Sequence, residues 1–192
     1  MSSNNFYRLG SIALILSGVF TFSTFFNFKP DGDLTPLGFI LDMISFVLLL
    51  PGFLVLYDLY KGVAPTSSLV AVIAGITGVV VYGLAGQLLP AWEEIAGLIG
   101  VLGLVLPMLL FGISSYKNPQ LGIPRIVGIL GILAGVAGII NVVTILASGG
   151  DWQNLNSSLV ENIVFITYAL PILLSVVWPI WIGLIFLSKK QK

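Results

Sequence analysis

The sequence predicts an all-α, polytopic membrane protein that crosses the bilayer six times and forms one domain over residues 1–192. Two features of the composition predict this class: 57% of the residues are apolar and only 8% are charged, whereas about a quarter of the residues in soluble domains are charged. The mean hydropathy is +1.08. The third observation is a set of six apolar stretches with the length of membrane-spanning helices, which need about 18 or more residues.

The six apolar stretches define the predicted helices. Their approximate bounds are 9–26, 37–59, 69–89, 95–113, 126–147 and 163–187. The first stretch follows Arg8 and has the polarity of a secretory signal, but no small-residue cleavage pair follows it, so we interpret it as a retained helix. The links between helices are short and rich in proline, glycine and serine, which is typical of turns between antiparallel helices.

Helices two, four and six share a proline that stands ten residues before a lysine. The pairs are Pro51 and Lys61, Pro107 and Lys117, and Pro179 and Lys189. At 1.5 Å per residue the proline lies about 15 Å from the lysine, near the middle of the bilayer. The recurrence predicts three parallel helical-hairpin repeats around an axis along the membrane normal. Proline removes a backbone donor and bends a helix, so these positions are either hinges beside a cavity or static kinks.

The distribution of charge predicts the orientation. Seven of the eight lysines and arginines fall on the side of the two chain ends, and only Lys29 falls on the other. Most acids fall on the side of Lys29: Asp31, Asp33, Glu93, Glu94, Asp151 and Glu161. Because short cytoplasmic loops retain lysine and arginine, we expect a multi-pass protein of the cell membrane with both its N- and C-termini in the cytoplasm.

Small residues recur along one side of several helices. Those predicted to mediate helix packing are Gly75, Gly78, Gly128, Gly131, Gly135 and Gly138. In lipid, where no hydrophobic force drives helices together, small residues let two backbones approach closely. Such faces predict packing within the chain, with contact to an oligomeric partner or another membrane subunit as the alternative.

Polar side chains lie at similar depths in the outer halves of the helices, whereas we expect the inner halves to hold almost none. Asp42 is the one acid clearly inside an apolar stretch, and intramembrane acids are costly enough to be functional candidates. The predicted ligand-binding residues are Asp42, Thr24, Tyr82, Gln87, Asn141, Thr144 and Tyr168. Together they predict an outward-facing polar cup with an apolar floor. The alternative is that Asp42 is hydrated near the interface and bonds a neighbouring hydroxyl or amide.

The composition argues against several chemistries. Cysteine and histidine are absent, so thiolate and imidazole metal sites, axial haem ligands and a serine–histidine protease site are excluded. Tyr57-Asp58 resembles the Tyr-Asp element of intramembrane aspartyl proteases, but those proteases need a second aspartate in a Gly-x-Gly-Asp element, which this sequence lacks. We expect Asp58 instead to accept a hydrogen bond from Lys61. With a net charge of zero, a nucleic-acid partner has no electrostatic support. We expect no cofactor and no bound metal.

Two functions fit these observations, and neither is catalytic. The first is an integral membrane protein surrounded by lipid. It acts either as a subunit of a membrane complex, which includes a homo-oligomer, or as a module that binds a small or lipidic ligand in the cup. The alternative is a transporter or channel for a small solute or lipid that uses the proline-kinked helices. An enzyme would have to work with carboxylates alone.

Overall fold

The structure is a computed structural model that describes residues 3–29, 34–86, 93–149 and 157–188. The described residues form six long helices and their connections. The helices are α1 (Ser3–Thr24), α2 (Pro36–Tyr60), α3 (Pro65–Gly78), α4 (Glu93–Lys117), α5 (Arg125–Ala147) and α6 (Ser158–Ser188). Each is long and apolar enough to cross a membrane, α3 together with the first residues after it, so the prediction of an all-α chain with six apolar spans is confirmed.

Local sequence explains where α2 begins. Thr35 has an extended backbone, and its hydroxyl oxygen accepts a hydrogen bond from the amide of Gly38 at 3.1 Å. Pro36 occupies the first helical position, where a missing amide hydrogen has no cost and the fixed φ angle suits a helix. The helix therefore starts just after the polar connection from α1.

The six helices form a closed antiparallel ring. Each helix packs against its neighbours in the chain, and α1 also packs against α6. We call the end that holds the described part of the α1–α2 connection, residues 25–29 and 34–35, the rim. We call the opposite end, which holds the α2–α3 connection, residues 61–64, and the α4–α5 connection, residues 118–124, the base. Because the ring closes around its own centre, side chains from all parts of the chain can meet there.

The third span changes its geometry halfway along. The sequence predicts one regular helix over 69–89, but the α-helix ends at Gly78 and a π-helix, Val79–Gly86, continues it. We call this stretch the π-segment. π-helices are rare and occur most often at functional sites. The wider turn rotates the following side chains relative to an α-helix, and Tyr82 lies within this segment.

The three predicted prolines lie inside continuous helices. Pro51 is in α2, Pro107 in α4 and Pro179 in α6. A fourth, Pro171, also lies inside α6 and was not predicted to matter. Lys189, the lysine paired with Pro179, lies outside the described residues. Each proline deprives the carbonyl four residues earlier of its usual hydrogen-bond donor. Because α6 contains two of these prolines, its backbone hydrogen bonding is weakened at two places.

Glycines bring α5 into backbone contact with α4. A methyl carbon built at Gly131 would lie 2.6 Å from the carbonyl oxygen of Met108, and one at Gly135 would lie 2.3 Å from the Leu109 side chain. Gly128 and Gly138 similarly face α4, and Gly78 of α3 meets Gly103 of α4. Gly75 leaves room for the ring of Phe53 on α2. These glycine faces therefore pack within the chain.

The base half contains buried hydroxyl groups, so the prediction that the inner halves hold almost no polar side chains is wrong. The hydroxyls of Tyr60 and Ser115 hydrogen-bond one another in the core, and Ser115 also donates to the carbonyl oxygen of Phe111 at 2.8 Å. Ser11 is fully buried and donates to the carbonyl oxygen of Tyr7 at 2.6 Å. These groups are tolerated in an apolar interior because their hydrogens bond carbonyl or hydroxyl oxygens.

A polar cluster closes the base. Lys61 forms an ion pair with Asp58, as predicted, and Tyr7 donates a second hydrogen bond to the same carboxylate. The hydrogen bond to Asp58, together with its charge, raises the pKa of Lys61 above the ordinary lysine value. Tyr7 is on α1 and Asp58 on α2, so the carboxylate links the ends of two neighbouring helices.

Candidate functional site

The ring encloses a cavity of about 420 Å³, a volume within the ~300–1,000 Å³ range of small-molecule sites. Residues from α1, α2, the π-segment, α4, α5 and α6 line it. Along α6 the lining residues run from Thr167 to Pro179, which corresponds to a depth of about 18 Å at 1.5 Å per residue. The cavity therefore extends from near the rim to about the middle of the bundle.

Most of the polar lining residues lie in the rim half of the cavity, whereas the deepest lining residues are apolar or aromatic. The rim half of the lining contains Thr21, Thr24, Asp42, Tyr82, Asn141, Thr167 and Tyr168. The deepest part is formed by Phe53, Met108 and Trp178. Trp178 is only 2% exposed, and its indole nitrogen donates to the carbonyl oxygen of Val127 at 3.2 Å. The floor is thus apolar, because its one polar donor is already bound to α5.

One continuous face of α2 lines the cavity. The lining residues Phe39, Asp42, Phe46 and Leu49 recur at intervals of three or four residues, which places them along one side of a helix, and Ser45 lies three residues from Asp42 on the same side. The hydroxyl of Ser45 donates to the carbonyl oxygen of Asp42 at 2.7 Å, so it is satisfied within its own helix. The half-buried side chain of Asp42 is therefore flanked by two aromatic rings, at i−3 and i+4.

Asp42 on α2 and Tyr168 on α6 belong to helices that both pack against α1 in the ring. Both residues line the cavity, so the two groups face the same space from α2 and α6. A ligand that enters from the rim meets this carboxylate and this phenol before it reaches the floor.

The π-segment and a glycine together place Tyr82. A methyl carbon built at Gly100 on α4 would lie 2.0 Å from the β-carbon of Tyr82, so only glycine fits beside it. The Tyr82 ring packs edge-on against Phe46, with ring centroids 5.5 Å apart and planes at 82°. Gly83, the next residue, makes room for the same phenylalanine ring. Backbone geometry and two glycines thus hold the Tyr82 ring against α2 at the cavity wall.

Asn141 connects two walls of the cavity. Its side-chain nitrogen on α5 donates to the carbonyl oxygen of Val164 at 2.9 Å and to the hydroxyl of Thr167 at 3.3 Å, both on α6. The residue is 3% exposed. A buried amide of this kind is stabilising only when it is hydrogen-bonded, and here it joins helices five and six beside the site.

The structure brings together five of the seven residues predicted to bind a ligand. Thr24, Asp42, Tyr82, Asn141 and Tyr168 line the cavity. In the part of the chain that the structure describes, Thr144 does not line it. Its hydroxyl donates to the carbonyl oxygen of Ile140 in its own helix at 2.8 Å. Gln87 lies outside the described residues. That these residues bind a ligand stays a prediction.

Two phenylalanines and one proline of the lining, Phe39, Phe46 and Pro171, were not predicted from the sequence, whereas Pro179 was predicted as either a hinge beside a cavity or a static kink. Phe39 and Phe46 line the cavity beside Asp42, and Pro171 and Pro179 line it on α6. The helical spacing from Asp42 could have identified the two phenylalanines, since i−3 and i+4 share its face. Pro171 gave no comparable signal, because the residue ten positions after it is Trp181 rather than lysine.

Comparison of the chain with protein families, with characterised proteins and with solved structures gives no significant match. The function is therefore inferred from the cavity and its lining.

Proposed function

We propose that the protein is a non-enzymatic integral membrane protein that binds a small amphiphilic or lipidic ligand in its central cavity, alone or as a subunit of a membrane complex. The cavity carries this proposal, because it has the volume of a ligand site, polar groups near its mouth and an apolar floor. Sites for small molecules are mostly apolar with a few placed polar groups.

A binding role is favoured over catalysis by the chemistry of the lining. The described lining residues offer one carboxylate, several hydroxyls and one amide. The described lining residues include no histidine, cysteine, lysine or second carboxylate, the groups that most often pair with a carboxylate in acid–base or nucleophilic catalysis. One carboxylate can orient or neutralise a ligand without that partner.

The proposal includes a location and a topology. The outward faces of the helices are apolar, with Phe165 71% and Val143 58% exposed, which suits contact with lipid or with other membrane subunits, including further copies of this chain. The excess of lysine and arginine near the base favours a cytoplasmic base, with both chain ends there, and an outward-facing rim in the cell membrane. The closed ring of three hairpins supports three parallel repeats.

Cysteine labelling tests the topology directly, because the natural chain has no cysteine. Gly62 at the base has no heavy atom within 4 Å of a built side chain, and Lys29 near the rim is exposed. In intact cells, a membrane-impermeant maleimide should label Lys29→Cys and spare Gly62→Cys until the membrane is permeabilised. The reverse pattern would refute the orientation.

The binding function is tested with a pair of variants on α2. Leu49 lines the cavity, whereas Leu54 is 45% exposed on the outer surface. Leu49→Trp should fill the cavity and Leu54→Trp should leave it open. We expect native mass spectrometry of protein extracted in mild detergent to show bound small molecules, or binding of added 4-phenylbutanol, in the wild type and in Leu54→Trp but not in Leu49→Trp. Absence of any bound species in all three proteins would refute the proposal.

A second candidate, a transporter or channel for a small solute or lipid, is favoured by one observation. Pro171, Pro179 and the π-segment residue Tyr82 all line the cavity, so the places where backbone hydrogen bonding departs from an α-helix surround the site. Such places allow a helix to bend. Flux of a bound ligand into proteoliposomes, compared between the wild type and Asp42→Asn, tests this candidate, and no flux in either protein would exclude it.

A further inference from the structure

We propose that the ligand is a lipophilic cation, a molecule with one ammonium group and an apolar body, whose charged group lies at Asp42 and whose body extends toward Trp178. This inference rests on the proposed ligand-binding function and names its chemical class. It follows from the charge, the aromatic groups and the depth of the cavity.

The net charge of the lining favours a cation. Asp42 is the only charged side chain among the described residues that line the cavity. An anionic ligand would lose its hydration and meet a like charge, and the lining residues that the structure describes include no lysine or arginine to compensate. A neutral ligand would gain nothing from the carboxylate beyond a hydrogen bond. An ammonium group would gain both a charge-assisted hydrogen bond and charge neutralisation.

The aromatic groups around Asp42 favour the same class. Phe39 and Phe46 flank it on α2, Tyr168 faces the same cavity from α6, and all three line that cavity. Tyr82 adds a fourth ring, packed against Phe46. Cations are attracted to aromatic rings within about 6 Å of the ring centroid, and sites for ammonium ligands are typically built from several such rings.

The depth of the cavity predicts the rest of the molecule. Phe53 at the floor is eleven residues beyond Asp42 on α2, which is about 16 Å of helix. The hydroxyls of Ser45 and Ser175, which line the intermediate depth, donate to the carbonyl oxygens of Asp42 and Ile172 in their own helices, at 2.7 and 2.6 Å. Those hydrogens are not offered to a ligand. Ser17 of α1 adds one further hydroxyl to the lining at this depth, so the body of the ligand below its charged group should be largely apolar.

Three probes that differ only in their charged group test the inference. We would measure the affinity of 4-phenylbutylamine, 4-phenylbutanol and 4-phenylbutyrate for the full-length protein in lipid nanodiscs by isothermal titration calorimetry at neutral pH. The amine should bind at least about tenfold more tightly than the alcohol, and the acid should bind most weakly. In Asp42→Asn the preference for the amine over the alcohol should disappear, whereas Asp42→Glu should keep it.

The matched control is Asp58→Asn, which removes the other carboxylate of α2, at the base and outside the lining. It should leave the order of the three affinities unchanged. If Asp42→Asn does not fold, the three affinities in the wild type decide alone. Equal or tighter binding of the alcohol or the acid would overturn the inference and leave the ligand-binding proposal intact, and so would an unchanged amine preference in Asp42→Asn. If none of the three probes binds and Leu49→Trp matches Leu54→Trp in native mass spectrometry, the proposed function itself fails.

Discussion

The contact between α4 and α5 can be tested with two glycines of the same helix. A methyl carbon built at Gly112 would lie 2.7 Å from the carbonyl oxygen of Gly128, 2.8 Å from the amide nitrogen of Ile132 and 2.9 Å from the carbonyl carbon of Gly131. All three atoms belong to the α5 backbone. At Gly97, also in α4, a built methyl carbon has no neighbour within 4 Å. The same substitution therefore has opposite consequences at the two positions.

The structure sets the size of the effect of Gly112→Ala. Ordinary van der Waals contact begins at 3.4 Å, so the methyl group is too close by at least 0.7 Å (3.4 minus 2.7 Å). Backbone atoms cannot rotate away, so α4 and α5 must separate, and overpacking of this kind costs about 1–3 kcal/mol. Alanine also gains about 1 kcal/mol over glycine in helix propensity. Gly97→Ala receives the same gain, so the difference between the two variants isolates the packing cost.

The assay is reversible unfolding in mixed micelles with an increasing fraction of sodium dodecyl sulfate, followed by far-ultraviolet circular dichroism. We expect Gly112→Ala to have a free energy of unfolding about 1–3 kcal/mol below that of Gly97→Ala, and Gly97→Ala to be at least as stable as the wild type. Equal stability of the two variants would refute the close packing of α4 on α5.

Three further predictions concern polar contacts. Asn141→Ala should lower the free energy of unfolding by about 0.5–1.5 kcal/mol, a typical value for hydrogen bonds between membrane helices. The control Thr144→Val removes a hydrogen bond within one helix and should change the free energy of unfolding less. Equal losses in the two variants would contradict the hydrogen-bonded connection between α5 and α6. Ser115→Ala should cost about 1–3 kcal/mol because it leaves the buried Tyr60 hydroxyl without its acceptor, and adding Tyr60→Phe should recover part of that loss in the same unfolding assay. Lys61→Gln should have little effect in high salt, because an exposed ion pair is screened. Since its carboxylate partner raises the pKa of Lys61, any stabilisation from the pair should persist at neutral pH and disappear on the alkaline side as the pH rises beyond the ordinary lysine range. It should also disappear at acidic pH, where the Asp58 carboxylate is protonated, and stability measured against pH would check both limits.

The six membrane-spanning helices could be predicted because each depends only on its own stretch of apolar sequence. An apolar run of sufficient length forms a helix in lipid whatever it packs against, since every backbone group must be bonded within the segment. Thr35 and Pro36 even mark the start of α2 in the sequence. The π-segment was not predictable, because Val79–Gly86 contains no residue that distinguishes a π-turn from an α-turn.

The depth of the site residues along their helices could be predicted from the sequence, but the direction in which each side chain faces could not. Asp42 and Asn141 were found because a polar side chain inside an apolar stretch is rare. Thr144 lies at a similar depth three residues from Asn141, but its hydroxyl bonds its own helix and does not line the cavity. The cavity-facing side of a helix that is apolar on all sides depends on its neighbours, so apolar lining residues such as Val105 and Met108 could be assigned to the cavity only once the ring of helices was known.

The closure of the ring between α1 and α6 has a consequence for how the protein is made. Residues that meet along this seam, such as Gly18 and Ile180, are far apart in the order of synthesis, and contacts of such long range form late. Until the sixth helix has been inserted beside the first, the Asp42 carboxylate faces an incomplete wall, so the nascent chain is a natural target for membrane quality control. A ligand that occupies the complete cavity binds only the folded protein and, by mass action, increases the folded fraction of the protein. Such a molecule would raise the yield of mature protein in cells, acting as a chemical chaperone.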